Sequence, residues 1–286
     1  MEQDDVASAV EVRRGLKAGQ ESSAAELYWD AFGRKLGYAL GPAEKGKRFL
    51  AAHINLDRAI VAEVDGHLIG IAGYQHDGRA LTSASAVDVL RMYGWVPGLP
   101  RLLVLAILER RPRRHELLMD GIVVEEGWRG HGVGSRLLSE IASLASELGY
   151  SAVGLDVVDT NPGARALYER VGYEAIRTER TPYLQRLMGF TASTTMRMTV
   201  EPSGGIRPGR SSDGRMDRVL VALRSAIVTA IITALIIGTI RLIRGAPVLD
   251  ALASPTFWVP VVIVAGLAAL FSLARADRPN AGTRAP

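Results

Sequence analysis

A glycine-dense turn between a strand-like and a helix-like segment is the feature that most constrains the fold of this 286-residue chain. Residues 115–124, HELLMDGIVV, are rich in the large apolar and β-branched side chains that favour a strand. Apolar residues then recur at helical spacing, at 133, 137, 138, 141, 144, 145 and 148, and Gly149 can end the helix. Residues 125–134 between them, EEGWRGHGVG, therefore predict a tight turn from which a helix begins.

A helix that starts on glycines offers a binding site for an anion. The first N–H groups of a helix have no partners within it, and its dipole is positive at that end. Glycines also let a ligand approach the backbone closely, and Arg129 adds a positive charge within the turn. We predict that residues 129–134 hold a phosphate or pyrophosphate group.

Two nucleotide-binding motifs fit this turn poorly. A dinucleotide fingerprint needs G-x-G-x-x-G, but Ser135 takes the third position after Gly130 and Gly132, although Asp156 could mimic the ribose-binding acid. The phosphate loop of NTPases needs Gly-Lys followed by Ser or Thr, which the chain lacks. The pattern that the turn does contain is Arg129-x-x-Gly132-x-Gly134.

A second block of sequence agrees with that pattern. Residues 152–175, AVGLDVVDTNPGARALYERVGYEA, predict a strand and then a helix that Asn161 caps, Pro162 opens and Gly172 ends. The first block resembles the R/Q-x-x-G-x-G/A acetyl-CoA signature of the GNAT superfamily of N-acetyltransferases. The segment from Asn161 to Tyr173 resembles the second motif of that superfamily, N-x-x-A-x-x-L/F-Y-x-x-x-G-F/Y. The resemblance covers roughly residues 8–200 and is strongest over 115–175.

The resemblance implies a fold and a reaction. The implied fold is α/β (α+β), a mixed and mostly antiparallel twisted sheet flanked by helices. The implied reaction moves an acetyl group from acetyl-CoA, as cosubstrate, to a primary amine by direct attack in a ternary complex. The residues that the resemblance assigns to acetyl-CoA are those of the strand end, the glycine turn and the second helix cap: Ile122, Val123, Val124, Arg129, Gly130, His131, Gly132, Val133, Gly134 and Asn161.

The resemblance also suggests catalytic residues. Tyr168 matches the tyrosine that protonates the departing thiolate, while Asp156 and Asp120 are two candidates for a base that acts through water. Three of the residues that the resemblance assigns have a structural alternative. Asn161 is a good helix cap, Tyr168 lies on an apolar helical stripe, and Asp156 could simply pair with an arginine.

The segment upstream of the motifs is expected to hold the acceptor. In the superfamily the first two helices and their connection wall that site, which here corresponds to residues 25–50, with candidate lining side chains at Tyr28, Trp29, Phe32 and Tyr38. Residues 84–114 form an insertion relative to a minimal family member. We expect it to contain a buried helix over 102–108 with a solvated arginine-rich end; a contact with an anionic membrane surface is the alternative.

Composition excludes several classes of site. The chain contains no cysteine, so it has no disulfide, thiolate zinc site or cysteine nucleophile. Its histidines are scattered without ligand spacing, and we predict no metal. The net charge is +4, but the arginine clusters lack interleaved aromatic residues and no nucleic-acid-binding motif occurs, so we predict no nucleic-acid partner.

The C-terminal part of the chain has a different composition. Residues 1–200 are followed by a Gly-, Ser-, Pro- and Arg-rich linker over 201–218. Two apolar runs, 219–240 and 257–274, then predict a transmembrane hairpin, and 275–286 form a short basic tail. Arginines flank the hairpin on its outer sides, which predicts that the catalytic domain and both termini are cytoplasmic.

Two functions from other classes remain as alternatives. One is a catalytically silent acyl-CoA-binding sensor, which Tyr168 and the acidic candidates make less attractive. The other is a dinucleotide-binding membrane oxidoreductase, which Ser135 argues against. The acceptor amine is not encoded in any motif.

Overall fold

The computed structural model describes residues 9–108, 110, 112–182, 185 and 189–203. The chain divides into two units, Met1–Pro208 and Gly209–Pro286, and all described residues belong to the first. Within the described ranges, no helix combines the length and apolarity that a membrane span requires. Both predicted spans, the basic tail and residues 204–218 of the linker lie outside the described residues.

The described residues contain seven strands that form one sheet in the spatial order β1-β2-β3-β4-β5-β7-β6. Neighbouring strands are antiparallel except β4 and β5, which are parallel, so the prediction of a mixed and mostly antiparallel sheet is confirmed. The strands are β1 (Glu11–Arg14), β2 (Ala59–Val64), β3 (His67–Gln75), β4 (Glu116–Val124), β5 (Ala152–Val158), β6 (Glu174–Arg180) and β7 (Ala192–Thr199).

Six α-helices accompany the sheet in the described part of the chain. They are α1 (Glu21–Leu40), α2 (Ala43–His53), α3 (Ala86–Tyr93), α4 (Trp95–Leu108), α5 (Val133–Glu147) and α6 (Pro162–Val171). The helices α3 and α4 belong to the insertion, which stands between β3 and β4 as predicted.

Different helices cover the two faces of the sheet. Leu137 and Ile141 of α5 pack in a core cluster that includes Ile60 of β2, whereas Ala24 of α1 packs in a second cluster that includes Val61. Because successive residues of a strand point to opposite faces, the two clusters lie on opposite sides of the sheet. The α1 side and the α5 side of the sheet are named accordingly below.

The two helices of the sequence motifs begin and end as predicted. Gly132 precedes the first residue of α5, and the N–H of Tyr150 donates to the carbonyl of Ala145 at 2.9 Å just after that helix ends. Asn161 Oδ1 accepts from the N–H of Ala164 at 3.1 Å at the start of α6, and Gly172 ends it. These bonds use backbone groups that a helix end otherwise leaves unpaired.

The insertion differs in part from its prediction. Leu102 and Leu105 of α4 are only partly buried. They pack against a third cluster, formed by residues of α1, α2 and α3, and do not belong to the two clusters that cover the sheet. The first turn of α4 is open to solvent, with Trp95 74% exposed and Val96 84% exposed. The predicted buried helix is therefore half-buried, and an aromatic residue lies at its exposed end.

Candidate active site

A gap opens between the two parallel strands at the centre of the sheet. Strand β4 pairs with β5 only over Glu116–Leu118, opposite Ala152–Gly154. Beyond that point β4 continues along β3 and β5 continues along β7, so the strands separate. Backbone groups that would join the two strands in a regular ladder therefore face the gap instead.

The register of β4 on β3 shows which of these groups face the gap. Glu125 donates its N–H to the carbonyl of Ile69 at 2.8 Å, in register with the ladder of β3 and β4. In an antiparallel ladder every second residue pairs, so Val123 also bonds toward β3, while Ile122 and Val124 direct their backbone groups toward the gap. Arg129 Nε donates to the Val124 carbonyl at 3.1 Å from that side.

Asp120 lies where the ladder of β4 is interrupted. Gly73 is opposite Gly121 and Tyr74 is opposite Met119, so Asp120 is the extra residue of a β-bulge. Its carboxylate accepts from Gln75 Nε2 at 2.6 Å and from the Leu81 N–H at 2.8 Å. Burial raises the pKa of Asp120, against the opposing effects of these two hydrogen bonds and of Arg110.

Two aromatic residues of α1 cover β4 beside this bulge. Tyr28 and Phe32 have ring centroids 4.5 Å apart, and a Cβ placed on Gly121 would lie 2.7 Å from the Phe32 ring. Glycine at 121 therefore lets α1 approach the strand closely. Burial and the charge of Asp120 raise the pKa of Tyr28, which keeps its hydroxyl protonated.

The other two aromatic candidates of this segment do not join the site. A Cβ on Gly46 would collide with the Trp29 ring, so Trp29 fills the space between α1 and α2. Tyr38 is 54% exposed on α1. Of the four predicted lining residues, the structure brings Tyr28 and Phe32 to β4.

The glycine turn forms an open cradle at the start of α5. Gly130 and Gly132 have φ of +83° and +78°, a left-handed conformation that side chains rarely adopt, and a Cβ at either position would meet no atom within 4 Å. No side chain caps α5, and its first turn holds no acidic residue. The helix therefore starts with N–H groups that no side chain caps, next to glycines with open space beside them, which is the arrangement that suits an incoming anion.

Arg129 and His131 stand on the rim of the cradle. The Arg129 backbone N–H donates to the Glu126 carbonyl at 3.2 Å, so the contribution that Arg129 can make to an anion is its exposed guanidinium. His131 Nδ1 lies 3.1 Å from the Arg129 carbonyl. A Cβ on Gly134 would lie 3.0 Å from Leu167, which shows that this glycine permits α6 to pack against the start of α5.

Tyr168 of α6 is 7% exposed and packs in the core cluster on the α5 side. Burial raises the pKa of Tyr168 to about 12, with Arg110 acting in the opposite sense. Its neighbour Tyr173, with ring centroids 5.8 Å apart, donates to Met119 Sδ at 3.5 Å. Among the described residues no hydrogen bond ties the Tyr168 hydroxyl, so it remains available as a proton donor.

Asp156 lies across the gap from Asp120. Val153, Leu155 and Val157 of β5 belong to the core cluster on the α5 side, so Asp156 points to the α1 side. Arg110 Nε lies 3.1 Å from Asp156 Oδ2. The arginine pairing that sequence analysis kept as the alternative for Asp156 is therefore present.

Three residues of this site were not predicted from the sequence. Gln75 donates to Asp120 from the neighbouring strand, and no pattern in the sequence around Gln75 indicates this contact. Arg110 was counted with a solvated arginine cluster, although it reaches β5. Lys35 is half-buried, and burial together with the Arg110 charge lowers its pKa to about 8. Helical spacing alone could not identify either cation as part of the site.

The arrangement fits acetyl-CoA as a cosubstrate. The cradle is open where a pyrophosphate would meet N–H groups, and two residues of β4 direct backbone groups into the gap. Asn161 uses its Oδ1 as the cap of α6, which leaves its amide N–H₂ as a donor. In the described ranges no group of three His, Cys, Asp or Glu side chains could hold a metal ion.

Comparison with known proteins agrees with the geometry. Residues 22–173 match the model of the acetyltransferase (GNAT) family. The chain is similar to the probable N-acetyltransferase camello of Xenopus tropicalis, with 35% identity over 124 residues, 43% of this chain and 42% of that protein. The chain thus aligns with less than half of the length of this curated relative.

Solved structures show similarity at lower identity. A ribosomal-protein-alanine N-acetyltransferase from Brucella melitensis is 19% identical with a TM-score of 0.45, and covers 66% of this chain and 99% of its own. A GNAT-family acetyltransferase from Streptococcus pneumoniae is 18% identical with a TM-score of 0.40, and covers 67% and 99%. Because the family model spans more than half of the chain, from α1 to Tyr173, the protein belongs to the GNAT acetyltransferase family.

Proposed function

We propose that this chain transfers an acetyl group from acetyl-CoA to a primary amine, by direct attack within a ternary complex. The observation that carries the proposal is the gap between β4 and β5, which opens beside the glycine cradle at the start of α5. The cradle would hold the pyrophosphate and the gap would hold the thioester. The acceptor amine would arrive from the α1 side, where both acidic candidates lie.

The cosubstrate would be held mainly by backbone groups. The N–H groups from Gly130 to Gly134 would bind the pyrophosphate, with the Arg129 guanidinium as a countercharge. Ile122 and Val124 would bind the pantetheine arm through the groups that face the gap, and the Asn161 amide would lie along the same arm. The buried Val123 side chain would support β4 from the α1 side.

The reaction needs one proton removed and one supplied. The amine nitrogen attacks the thioester carbonyl, the carbon–sulfur bond breaks, and the thiolate takes a proton from the Tyr168 hydroxyl. Asp120 is the favoured base, because burial raises its pKa and so improves its ability to accept the amine proton through water. Asp156, the other candidate, is paired with Arg110.

The two alternative functions are weaker. Dinucleotide-binding folds place their ligand on a mostly parallel sheet, whereas here one neighbouring pair of strands is parallel among the described residues. A silent acyl-CoA sensor needs no acid at the thioester. The Tyr168 hydroxyl makes no hydrogen bond within the described residues and is free to donate a proton, which favours an enzyme.

Binding and turnover separate these alternatives. Acetyl-CoA should raise the melting temperature of the full chain and NAD should not, because NAD has no pantetheine arm to enter the gap between β4 and β5. Thiol release from acetyl-CoA in the presence of an amine panel then distinguishes an enzyme from a sensor. Absence of stabilisation by acetyl-CoA would refute the proposal, and stabilisation without turnover on any amine would favour the sensor.

We propose also that the protein is tethered to a membrane by the two apolar runs at 219–240 and 257–274. Each has the length and apolarity of a span, and the outer arginines favour a cytoplasmic catalytic domain. Trp95 and Val96, which protrude from the insertion, are suited to contact a lipid surface near such a tether.

A further inference from the structure

Arg110 follows α4, at the end of the insertion between β3 and β4. Its Nε lies 3.1 Å from Asp156 Oδ2, and the two side chains are 26% and 22% exposed. The contact therefore lies at an accessible mouth of the gap. The pair forms through Nε, and within the described residues the two terminal nitrogens of the guanidinium pair with no other carboxylate, so they can donate to a further anion.

The guanidinium lies among the groups of the proposed acceptor site. Its charge favours the deprotonated form of Lys35 and Tyr28 on α1, of Asp120 on β4 and of Tyr168 on α6, and in the last three it opposes the larger effect of burial, which raises their pKa. Three separate elements around the gap therefore face this one side chain. Among the described residues, no other cation acts on all four of these groups.

The two carboxylates near this mouth differ in what they leave for a ligand. Asp156 acts on both cations, Arg110 and Lys35. Asp120 accepts from the neutral donors Gln75 Nε2 and Leu81 N–H, one at each of its oxygens. The terminal nitrogens of Arg110 are therefore the groups placed to pair with a carboxylate on the ligand.

We propose that Arg110, assisted by Lys35, binds a carboxylate of the acceptor, and that the substrates are primary amines that also carry a carboxylate. Asp156 is then a positioning residue that holds the Nε side of Arg110 and directs its terminal nitrogens to the acceptor. Arginine suits this role, because its planar fork matches a carboxylate in a bidentate pair. The proposal rests on the proposed acetyl transfer and names its substrate class.

The test uses the full chain, acetyl-CoA and matched acceptors that differ in one charge. Each acceptor pair is an amino acid and its carboxamide, and rates of thiol release are compared per neutral amine. We expect kcat/KM to be at least about tenfold higher for the acid, as a charge-assisted pair provides. Arg110→Gln should lower kcat/KM for the acid about tenfold more than for the amide, and Arg110→Lys should restore part of the difference.

Arg114→Gln is the control, because Arg114 is an exposed residue of the same segment. It should keep the preference of the parent chain. Equal kcat/KM for acid and amide in the parent, or an unchanged preference in Arg110→Gln, would overturn the inference while leaving acetyl transfer intact. Stabilisation by acetyl-CoA with no transfer to any amine would instead overturn the proposed function, and the inference with it.

Discussion

Tyr168 shows how one side chain combines structure and chemistry. It packs in the core beside Tyr173. The Tyr173 hydroxyl donates to Met119 Sδ, whereas the Tyr168 hydroxyl makes no hydrogen bond within the described residues. Burial raises its pKa to about 12, so the hydroxyl is protonated throughout the neutral range. A protonated tyrosine at the gap is the state that a thiolate leaving group requires.

Replacement of Tyr168 by Phe should therefore lower kcat about a hundredfold. The affinity for acetyl-CoA should change little, because the pyrophosphate and pantetheine contacts lie on other residues. Since an acid acts only while protonated, activity that depends on Tyr168 should fall as pH rises through about 12. Stopped-flow thiol release and calorimetric titration with acetyl-CoA measure the two quantities.

Tyr173→Phe is the matched control for this prediction. It removes a hydroxyl of the same type from a neighbouring buried ring and should leave kcat nearly unchanged. Equal losses in the two variants would mean that ring packing, and not proton transfer, explains the effect.

At the scale of elements, the start of α5 depends on a backbone conformation. Gly132 precedes the helix in a left-handed conformation and faces open space. The helix thus begins with N–H groups that no side chain caps. These N–H donors have no partner within the helix, which lowers the stability of the free protein locally. A bound anion would accept from them and offset that loss.

Gly132→Ala should weaken acetyl-CoA binding at least about tenfold and destabilise the fold by about 1 kcal/mol. The added methyl group would stand where the pyrophosphate approaches the backbone. Gly66→Ala is the control, because Gly66 has φ +79° and equal open space in the turn between β2 and β3. It should show the same loss of stability in urea denaturation and unchanged affinity; an equal loss of affinity in both variants would refute a specific role for the cradle.

A buried carboxylate of β2 holds β1 and the segment that follows it. Glu63 of β2 is 2% exposed, pairs with Arg13 at 2.5 Å and also binds Lys17 and Gln20. The hydrogen bond from Arg13, joined by those from Gln20 and Lys17, lowers the pKa of Glu63 to about 2, despite the opposing effect of burial. The stability from this carboxylate is therefore present above its ordinary value of 4.5 and is lost as pH falls toward 2.

Glu63→Gln should lower the free energy of unfolding by roughly 2–4 kcal/mol at pH 7, because the partly buried Arg13 would keep its charge without its partner. Glu147→Gln is the comparison. Glu147 pairs with Arg14 at 2.6 Å but is 50% exposed, so its loss should cost much less than that of Glu63. Urea denaturation at pH 7 and pH 3 compares the two variants; similar costs would contradict the argument from burial.

At the scale of the whole molecule, the proposed arrangement is a family acetyltransferase domain held at a membrane by its C-terminal part. The described residues account for the domain, and the tether rests on the apolar runs in the sequence. A tether would confine the enzyme to acceptors at that surface and raise their effective concentration.

The tether can be tested in cells because the chain has no cysteine of its own. Ser254→Cys lies between the two spans and should react with an impermeant maleimide added to intact cells. Ser211→Cys precedes the first span and should react only after the cells are lysed. Reaction of Ser211→Cys in intact cells would reverse the orientation, and full release of the protein by alkaline carbonate would exclude the spans.

Much of this fold follows from local patterns. The helical spacing after Val133, the cap at Asn161 and the glycine at 172 all occur where the sequence predicts, because each depends on interactions within a few residues. The family motifs lie on these same short segments. That is why the glycine turn and the start of α5 could be predicted from the sequence.

The α1 side of the gap, where we propose that the acceptor binds, was decided by tertiary structure. The bulge at Asp120 depends on the register against β3, and the pairing of Arg110 with Asp156 joins residues far apart in the chain. Likewise, packing of α1 against Gly121 selected Tyr28 and Phe32 over Trp29 and Tyr38. Local spacing determines the helix starts and turns, whereas long-range packing and charge pairing determine which side chains meet at the gap.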